Sequence, residues 1–161
     1  MKKIFLIYGH YNEKSFNAAI RDISKYKTIA MVGVSNDQTK PSTIVMKYMQ
    51  KYGYKVYPVN PSAKGQKILG EEVFEKITDI KESVDIADVF RPSKEALDIA
   101  KDTINIGAKV FWLQLGIKNE DAKKLVEKSN IKYVEDRCTK MEYQKCFLKV
   151  RQAFPVLQDQ N

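Results

Sequence analysis

Residues 33–42 combine the side-chain and backbone types that hold phosphate groups. Gly33 lets the backbone approach a ligand closely, Ser35 and Ser42 can donate hydroxyl hydrogen bonds, and Lys40 adds a positive charge. If a helix begins at Ser42, its first backbone N–H groups are available to an anion. The stretch is therefore a candidate phosphate-binding loop. An ordinary turn between a strand and a helix, with Ser42 as the capping residue, is the alternative.

Two common nucleotide-binding motifs are absent around this loop. It contains neither G-x-G-x-x-G nor G-x-x-x-x-G-K-[ST]. The next apolar run ends in Val59-Asn60-Pro61, where an NAD-binding domain carries an acidic residue that holds the ribose. These differences disfavour both NAD-dependent oxidoreduction and P-loop nucleotide hydrolysis.

No set of residues in the sequence nominates a catalyst or a metal site. His10 is the only histidine, and the two cysteines, Cys138 and Cys146, lie far from it in the chain. We expect no disulfide framework and no bound metal. Arg137 could lower the pKa of the neighbouring Cys138 thiol and make it reactive. We favour the interpretation in which Asp136 and Arg137 form a structural pair and the Cys138 thiol is unreactive. We therefore expect no catalysis by this chain alone.

Regularly alternating elements must position the candidate loop. An apolar run predicts a buried strand over Thr28–Val34, followed by a helix over Ser42–Tyr52 and a second strand over Tyr54–Val59. A polar loop covers Ser62–Gly70. The later elements are strands at Val84–Phe90, Lys109–Leu113 and Ile131–Glu135, and helices at Lys94–Asn105 (capped by Ser93), 119–129 (capped by Asn119) and 139–152.

This order predicts an α/β fold, a single Rossmann-like, doubly wound domain with a mostly parallel sheet of five or slightly more strands. In such a sheet, ligands bind beyond the carboxyl ends of the strands, near the point where the strand order reverses. The candidate residues all follow strands, so we expect them at one edge of the sheet.

The charge balance favours an anionic partner. The chain of 161 residues has 28 basic and 20 acidic residues, a formal net charge of +8, and its lysines are scattered. Nucleic acid is therefore an alternative that the sequence disfavours, since no long basic run is present. No apolar run is long enough to span a membrane, and we expect a cytoplasmic protein.

Several short motifs occur together in one order. They are residues 29–35, Lys40-Pro41-Ser42, 56–61, Gly65, 89–91, 112–116 and Asp136-Arg137-Cys138. In this combination the chain resembles small bacterial CoA-binding proteins, whose single domain is similar to the CoA-binding domain of the succinyl-CoA synthetase alpha subunit. The resemblance covers about residues 24 to 147.

The resemblance implies that the ligand is coenzyme A or an acyl-CoA. It implies that Lys64 reaches a phosphate and that Arg91, Pro92, Gln114 and Gly116 line the rest of the cleft. The full set of expected binding residues is Gly33, Val34, Ser35, Lys40, Pro41, Ser42, Asn60, Pro61, Lys64, Arg91, Pro92, Gln114 and Gly116.

Two residues that could contact the ligand, Arg91 and Trp112, have structural alternatives. Arg91 could pair with a phosphate through two hydrogen bonds, or could form an ordinary salt bridge. Trp112 could stack on an adenine, but its place inside an apolar strand favours core packing.

The resemblance also bears on activity. The small proteins of this family lack the grasp domain and phosphorylated histidine segment of the synthetase, which implies CoA binding without acyl-CoA formation. The alternatives are a subunit of an acyl-CoA-using enzyme whose partner chain is missing, and a basic nucleic-acid-binding protein. A protein partner or a homo-oligomer is compatible with either CoA-binding interpretation.

The chain divides into three predicted parts. Residues 1–22 form an N-terminal extension, in which Ile4–His10 and Lys14–Asn17 resemble the opening of flavodoxin-like quinone reductases. Residues 23–152 form the Rossmann-like domain, and 153–161 a loose C-terminal tail. The rest of a flavodoxin-like fold is absent, so flavin binding does not follow, and we expect His10 to be a surface residue.

Overall fold

A five-stranded parallel sheet is the centre of the fold. The computed structural model describes residues 22–23 and 25–147. The strands are β1 (Thr28–Val32), β2 (Lys55–Val59), β3 (Lys67–Ile68), β4 (Glu71–Glu72), β5 (Ile86–Val89), β6 (Val110–Leu113) and β7 (Lys132–Val134). The helices are α1 (Pro41–Lys51), α2 (Ala96–Asn105), α3 (Glu120–Lys128) and α4 (Thr139–Phe147), with short 3₁₀ turns at Pro61–Ala63, Ile77–Asp79 and Ser93–Glu95.

The strand order of the main sheet is β2-β1-β5-β6-β7, and all four strand pairs are parallel. The predicted α/β fold with a five-stranded parallel sheet is therefore confirmed. From β1 the chain moves outward to β2 and then returns to β5 on the other side of β1. The strand order thus reverses between β1 and β5, where a fold of this type forms a ligand crevice.

Alternate residues of each strand enter two separate cores, as the pleat of a strand requires. In β1, Ile29 and Met31 join the core beneath α1, whereas Ala30 and Val32 face the opposite core beneath α2 and α3. All four side chains are buried. This burial on both faces explains the nearly continuous apolar sequence of β1.

A small hairpin, β3–β4, occupies part of the segment predicted as the Ser62–Gly70 loop. Its two-residue turn, Leu69-Gly70, has positive φ at both positions (49° and 82°), the geometry that suits the twist of a tight hairpin. Leucine rarely adopts this conformation, so the turn carries no strong sequence signal. The loop prediction was wrong for this part of the segment.

The structure confirms one of the two predicted helix caps and contradicts the other. Asn119 caps α3 as predicted, since its Oδ1 accepts a hydrogen bond of 2.8 Å from the N–H of Ala122. Ser93 does not cap α2, because a 3₁₀ turn over Ser93–Glu95 precedes that helix. The Ser93 hydroxyl instead accepts a bond of 3.1 Å from the N–H of Lys118 and so ties two loops together.

Some sequence predictions fall outside the described residues. They are the strand and helix of the N-terminal extension, the end of the last helix beyond residue 147, and the C-terminal tail. Among the helices within residues 22–23 and 25–147, none has the length and apolar character needed to cross a membrane.

Candidate functional site

A cleft of about 330 Å³ opens at the point where the strand order reverses. It lies beyond the carboxyl ends of β1, β2 and β5, and α2 forms one wall. Its lining residues are Val32, Gly33, Val59, Asn60, Pro61, Ser62, Glu75, Lys76, Ile77, Arg91, Glu95, Asp98, Ile99 and Asp102. The volume lies at the lower end of the range for small-molecule sites.

Gly33 and Arg91 meet in this cleft although they are far apart in sequence. Gly33 has φ +93°, and a Cβ at this position would lie 2.8 Å from Cδ of Arg91 and 2.9 Å from the carbonyl oxygen of Phe90. The Gly33 N–H donates a bond of 2.8 Å to the carbonyl of Val59. Only glycine fits both the backbone conformation and the close packing of these strand ends.

Side-chain hydrogen bonds hold the loop after β1 in one conformation. The hydroxyl of Ser42 accepts a bond of 3.1 Å from the N–H of Ser35, and Thr43 Oγ1 donates to the carbonyl of Ser35 at 2.6 Å. The Asn60 amide donates to the carbonyl of Val34 at 2.8 Å. The loop after β2 therefore supports the loop after β1.

Helix α1 begins beside this loop. Lys40 is its N-cap residue, with an extended backbone and an exposed side chain, and Pro41 is its first residue. Proline suits this position because the first N–H of a helix has no partner within the helix. Ser42 is thus the second residue of the helix and not its cap.

Two of the candidate phosphate-binding cations, Arg91 and Lys64, form ion pairs. Arg91 donates from Nε to Glu95 Oε2 at 2.7 Å and from Nη2 to Oε1 at 3.1 Å. Lys64 Nζ lies 2.6 Å from Oε2 of Glu75. These hydrogen bonds lower the pKa of Glu95 and raise the pKa of Lys64.

The acidic wall of the cleft is a feature that the sequence predictions missed. Glu95, Asp98 and Asp102 line the cleft from α2 and the turn before it, and Glu75 lines it from the segment after β4. The spacing of three and four residues between Glu95, Asp98 and Asp102 places them on one helix face. This spacing in the sequence could have identified the acidic wall.

A buried polar network lies in the sheet, on residues that do not line the cleft. Asp88 in β5 is fully buried, and its two carboxylate oxygens accept bonds from the Gln114 amide (2.7 Å) and the Thr139 hydroxyl (2.9 Å). Burial raises the pKa of Asp88 to about 7, although both hydrogen bonds oppose this shift. Gln114 is only 4% exposed, so its amide points into the protein.

The loops after β6 and β7 form hydrogen bonds with each other and do not line the cleft. The N–H of Gly116 donates to Asp136 Oδ1 at 2.7 Å, and Trp112 Nε1 donates to the carbonyl of Arg137 at 2.8 Å. Trp112 is 1% exposed, which confirms the core role predicted for it. The Arg137 guanidinium lies 3.7 Å from Glu142.

The thiol of Cys138 lies between this loop and the buried network. Burial and the nearby Asp88 carboxyl raise the pKa of Cys138, which disfavours the thiolate. Cys138 and Cys146 both carry unpaired thiols. Within the described residues, no three histidine, cysteine or acidic side chains cluster as metal ligands would.

The expected binding residues therefore fall into three sets. Gly33, Asn60, Pro61 and Arg91 line the cleft. The second set lies next to the cleft. It comprises Val34, Ser35 and Lys40 in the loop after β1, Pro41 and Ser42 at the start of α1, Lys64, which pairs with Glu75, and Pro92, which follows Arg91. Gln114 and Gly116 follow β6 and do not line the cleft.

The strand order and the cleft at its reversal point define a Rossmann-like α/β domain. The chain belongs to the CoA binding domain family, whose sequence model matches residues 27–144. The matched range contains all the strands and helices named above except the end of α4.

Three relatives illustrate the range of this family. The uncharacterized protein YneT of Bacillus subtilis is 33% identical over 127 residues, which cover 78% of this chain and 93% of that protein. The structure of cell-free ID.343 from Thermus thermophilus superimposes with a TM-score of 0.77 at 35% identity, covering 85% of this chain and all of the other.

The third relative is much longer. The ADP-forming acetate–CoA ligase II of Archaeoglobus fulgidus is 32% identical over 92 residues. The match covers 56% of this chain and 13% of the ligase. This chain is therefore similar to one segment of a larger enzyme as well as to proteins of its own size.

Proposed function

We propose that this protein binds CoA or an acyl-CoA, with the nucleotide end of the ligand in the cleft between β1, β2 and α2. The observation that carries the proposal is the contact between Gly33 and Arg91. A glycine that brings the backbone close and an arginine with a planar set of N–H donors together provide a site for a phosphate.

The rest of the cleft suits an adenosine group. Val32, Val59, Ile77 and Ile99 supply apolar surface for a flat base, and Asn60 adds a polar contact at the end of β2. The cleft is too small for a whole CoA molecule, so we propose that the pantetheine arm extends outside it. The exposed Lys40 is available to a phosphate that lies over the first loop.

The first experiment is isothermal titration of the full chain with CoA, acetyl-CoA, ADP, NAD and FMN. We expect one site per chain for CoA, acetyl-CoA and ADP, and weaker binding of NAD and FMN. CoA binding that is lost with salt and is displaced by any polyanion would instead support the nucleic-acid alternative. Absence of heat with CoA and ADP would contradict the proposal.

Two charge-matched variants locate the site. Arg91→Ala should weaken ADP binding by about tenfold or more, the effect of losing a charge-assisted pair of hydrogen bonds. Lys94→Ala removes the same charge three residues away, from an exposed position outside the cleft. It should change the affinity by less than about twofold. Equal effects of the two variants would refute the assignment of Arg91.

A second candidate function is supported by the ligase relative. Because a segment of the ADP-forming acetate–CoA ligase is similar to this chain, the protein could supply a CoA-binding subunit to a partner chain. The partner would then carry the remaining catalytic parts. Copurification of the tagged full chain from its native cells, followed by an assay for CoA-dependent ADP or ATP turnover, tests this candidate. A pure chain without partners but with full CoA binding would favour the first candidate.

A further inference from the structure

The charge of the cleft is opposite to what a simple anion site requires. Four carboxylates, from Glu75, Glu95, Asp98 and Asp102, line it, against the two cations Lys76 and Arg91. The formal charge of the lining is therefore −2, while a nucleotide diphosphate is itself strongly negative. Such a cleft can bind phosphate groups only if some of its carboxylates move away from the cations.

The pairing of Arg91 with Glu95 identifies one such carboxylate. Two hydrogen bonds, of 2.7 and 3.1 Å, join the guanidinium to both oxygens of Glu95. A phosphate binds arginine through the same kind of paired N–H donors. Glu95 therefore occupies donors that a ligand phosphate at Gly33 would use.

Lys64 and Glu75 repeat this arrangement at the other side of the cleft. Lys64 lies on the loop after β2, and its Nζ is 2.6 Å from the carboxylate of Glu75, which lines the cleft. The two ion pairs are built by separate segments of the chain. Each one joins a candidate phosphate-binding cation to an acid of the cleft.

Both ion pairs are exposed enough for a ligand phosphate to take the place of the carboxylate. The side chains of Arg91 and Glu95 are 45% and 39% exposed, and those of Lys64 and Glu75 are 64% and 39% exposed. Exposed ion pairs contribute little to stability, since water and salt screen them. A phosphate that is also held by neighbouring contacts can therefore displace them. A phosphate without such contacts has little advantage over the carboxylate already present.

We infer that Glu75 and Glu95 determine the specificity of the cleft by competing with ligand phosphates for Lys64 and Arg91. This inference rests on the proposed nucleotide site. The two acids act as a filter for ligands. Small free anions such as inorganic phosphate are excluded, whereas a nucleotide diphosphate gains enough binding free energy from its base and ribose contacts to displace the two acids from their cations. The filter operates without movement of the backbone, because only exposed side chains change partners.

Titration with ADP and with inorganic phosphate tests this inference in the full chain. Glu95→Gln and Glu75→Gln should each tighten ADP binding by about two- to fivefold, the range expected when an exposed competing ion pair is removed. Inorganic phosphate should compete with ADP measurably in the Glu75→Gln, Glu95→Gln double variant, and at least about fivefold less well in the unchanged protein.

Asp98→Asn is the matched control. Asp98 lines the same cleft and carries the same charge, but it is 87% exposed and its ionic partner is Lys101. It should change ADP affinity by less than about twofold. If Asp98→Asn tightens binding as much as Glu95→Gln, the acids act only through the general field of the cleft and the inference is wrong.

The remaining outcomes are also decisive. Unchanged or weaker ADP binding in both glutamine variants would overturn the inference while leaving the nucleotide site intact, because the acids would then be neutral to the ligand or in contact with it. Absence of ADP and CoA binding in the unchanged protein and in every variant would refute the proposed site itself. Thermal unfolding of each variant confirms that these exposed substitutions leave the fold unchanged.

Discussion

The free energy of unfolding of this protein should fall as the pH rises from weakly acidic to neutral. Replacing Asp88 by asparagine should remove the part of this fall that the ionisation of Asp88 causes. Asp88 is fully buried in β5, between the Gln114 amide and the Thr139 hydroxyl. Burial raises its pKa from 3.8 to about 7. An asparagine has nearly the shape of the protonated acid. Its Oδ1 can accept from Gln114, and its N–H, like the O–H of the protonated acid, can donate to the Thr139 oxygen, which reverses the bond that Thr139 donates to the ionised carboxylate.

The expected magnitude follows from the proton balance. In the unfolded chain the carboxyl of Asp88 ionises near 3.8, whereas in the folded protein it keeps its proton until about 7. Between these values the folded state binds one more proton, so the free energy of unfolding falls by up to about 1.4 kcal/mol per pH unit. The full effect is about 4 kcal/mol; it is absent below the lower pKa and complete above the upper one.

Urea unfolding of the full chain at pH 5, 6, 7 and 8 measures this effect. The stability of the unchanged protein relative to Asp88→Asn should fall by about 2.5 kcal/mol between pH 5 and pH 8, with most of the change below pH 7. Groups that titrate alike in both proteins cancel in the difference. Asp98→Asn, at an exposed position, is the control for the loss of one carboxylate.

A difference between Asp88→Asn and the unchanged protein that stays constant from pH 5 to pH 8 would refute the reasoning. It would mean that Asp88 is already ionised in the folded protein at pH 5, and that its two hydrogen bonds outweigh burial. A difference that grows in favour of the unchanged protein as the pH rises would reverse the sign and have the same meaning.

Three further experiments test the rest of the structure. Gly33→Ala should destabilise the protein by about 3 kcal/mol through strain and close contacts, whereas Gly53→Ala, with a similar φ but open space around it, should cost about 1 kcal/mol in thermal unfolding. Cys138, alone in a Cys146→Ser variant, should react with iodoacetamide at least about fivefold more slowly than Cys146 in the reciprocal variant, because it is more buried. Asp85→Asn should cost about 1–3 kcal/mol at pH 6 and much less at about pH 2.

Each of these predictions has a contradicting result. Equal losses for Gly33→Ala and Gly53→Ala would mean that the cleft tolerates a Cβ. A faster reaction at Cys138 would indicate an activated thiol. Partial burial opposes ionisation of Asp85, but two backbone N–H groups and a lysine hold its pKa below the ordinary 3.8. A cost for Asp85→Asn that persists at pH 2 would therefore exclude a role for its charge.

Local sequence patterns were sufficient for the five strands of the main sheet and for the four helices. The apolar run over Thr28–Val34 predicts β1 because a strand buried on both faces needs apolar residues at successive positions. Its last two predicted residues, Gly33 and Val34, belong to the following loop, since Gly33 adopts a positive φ. The hairpin of β3 and β4 escaped prediction because its turn uses a leucine in a conformation that leucine seldom adopts.

The candidate site was only partly accessible from the sequence. Gly33 and Arg91 could be named because each follows a strand, and parallel strands end at the same edge of a sheet. Their contact, with the would-be Cβ of Gly33 2.8 Å from the arginine, depends on the pairing of β1 with β5. Gln114 also follows a strand, yet its side chain turns inward to Asp88 because the buried carboxyl needs a donor.

The sequence by itself thus determined which segments form the main-sheet strands and the helices, and which strand ends could meet a ligand, because hydrophobic period and turn chemistry are local properties. Only the tertiary structure decided which charged groups share the cleft. Lys64 and Glu75 are brought together by the loops after β2 and β4, and the buried Asp88 is hydrogen-bonded by Gln114 and Thr139, which follow β6 and β7. Partners and burial set the charge of such groups, and both arise from contacts between distant parts of the chain.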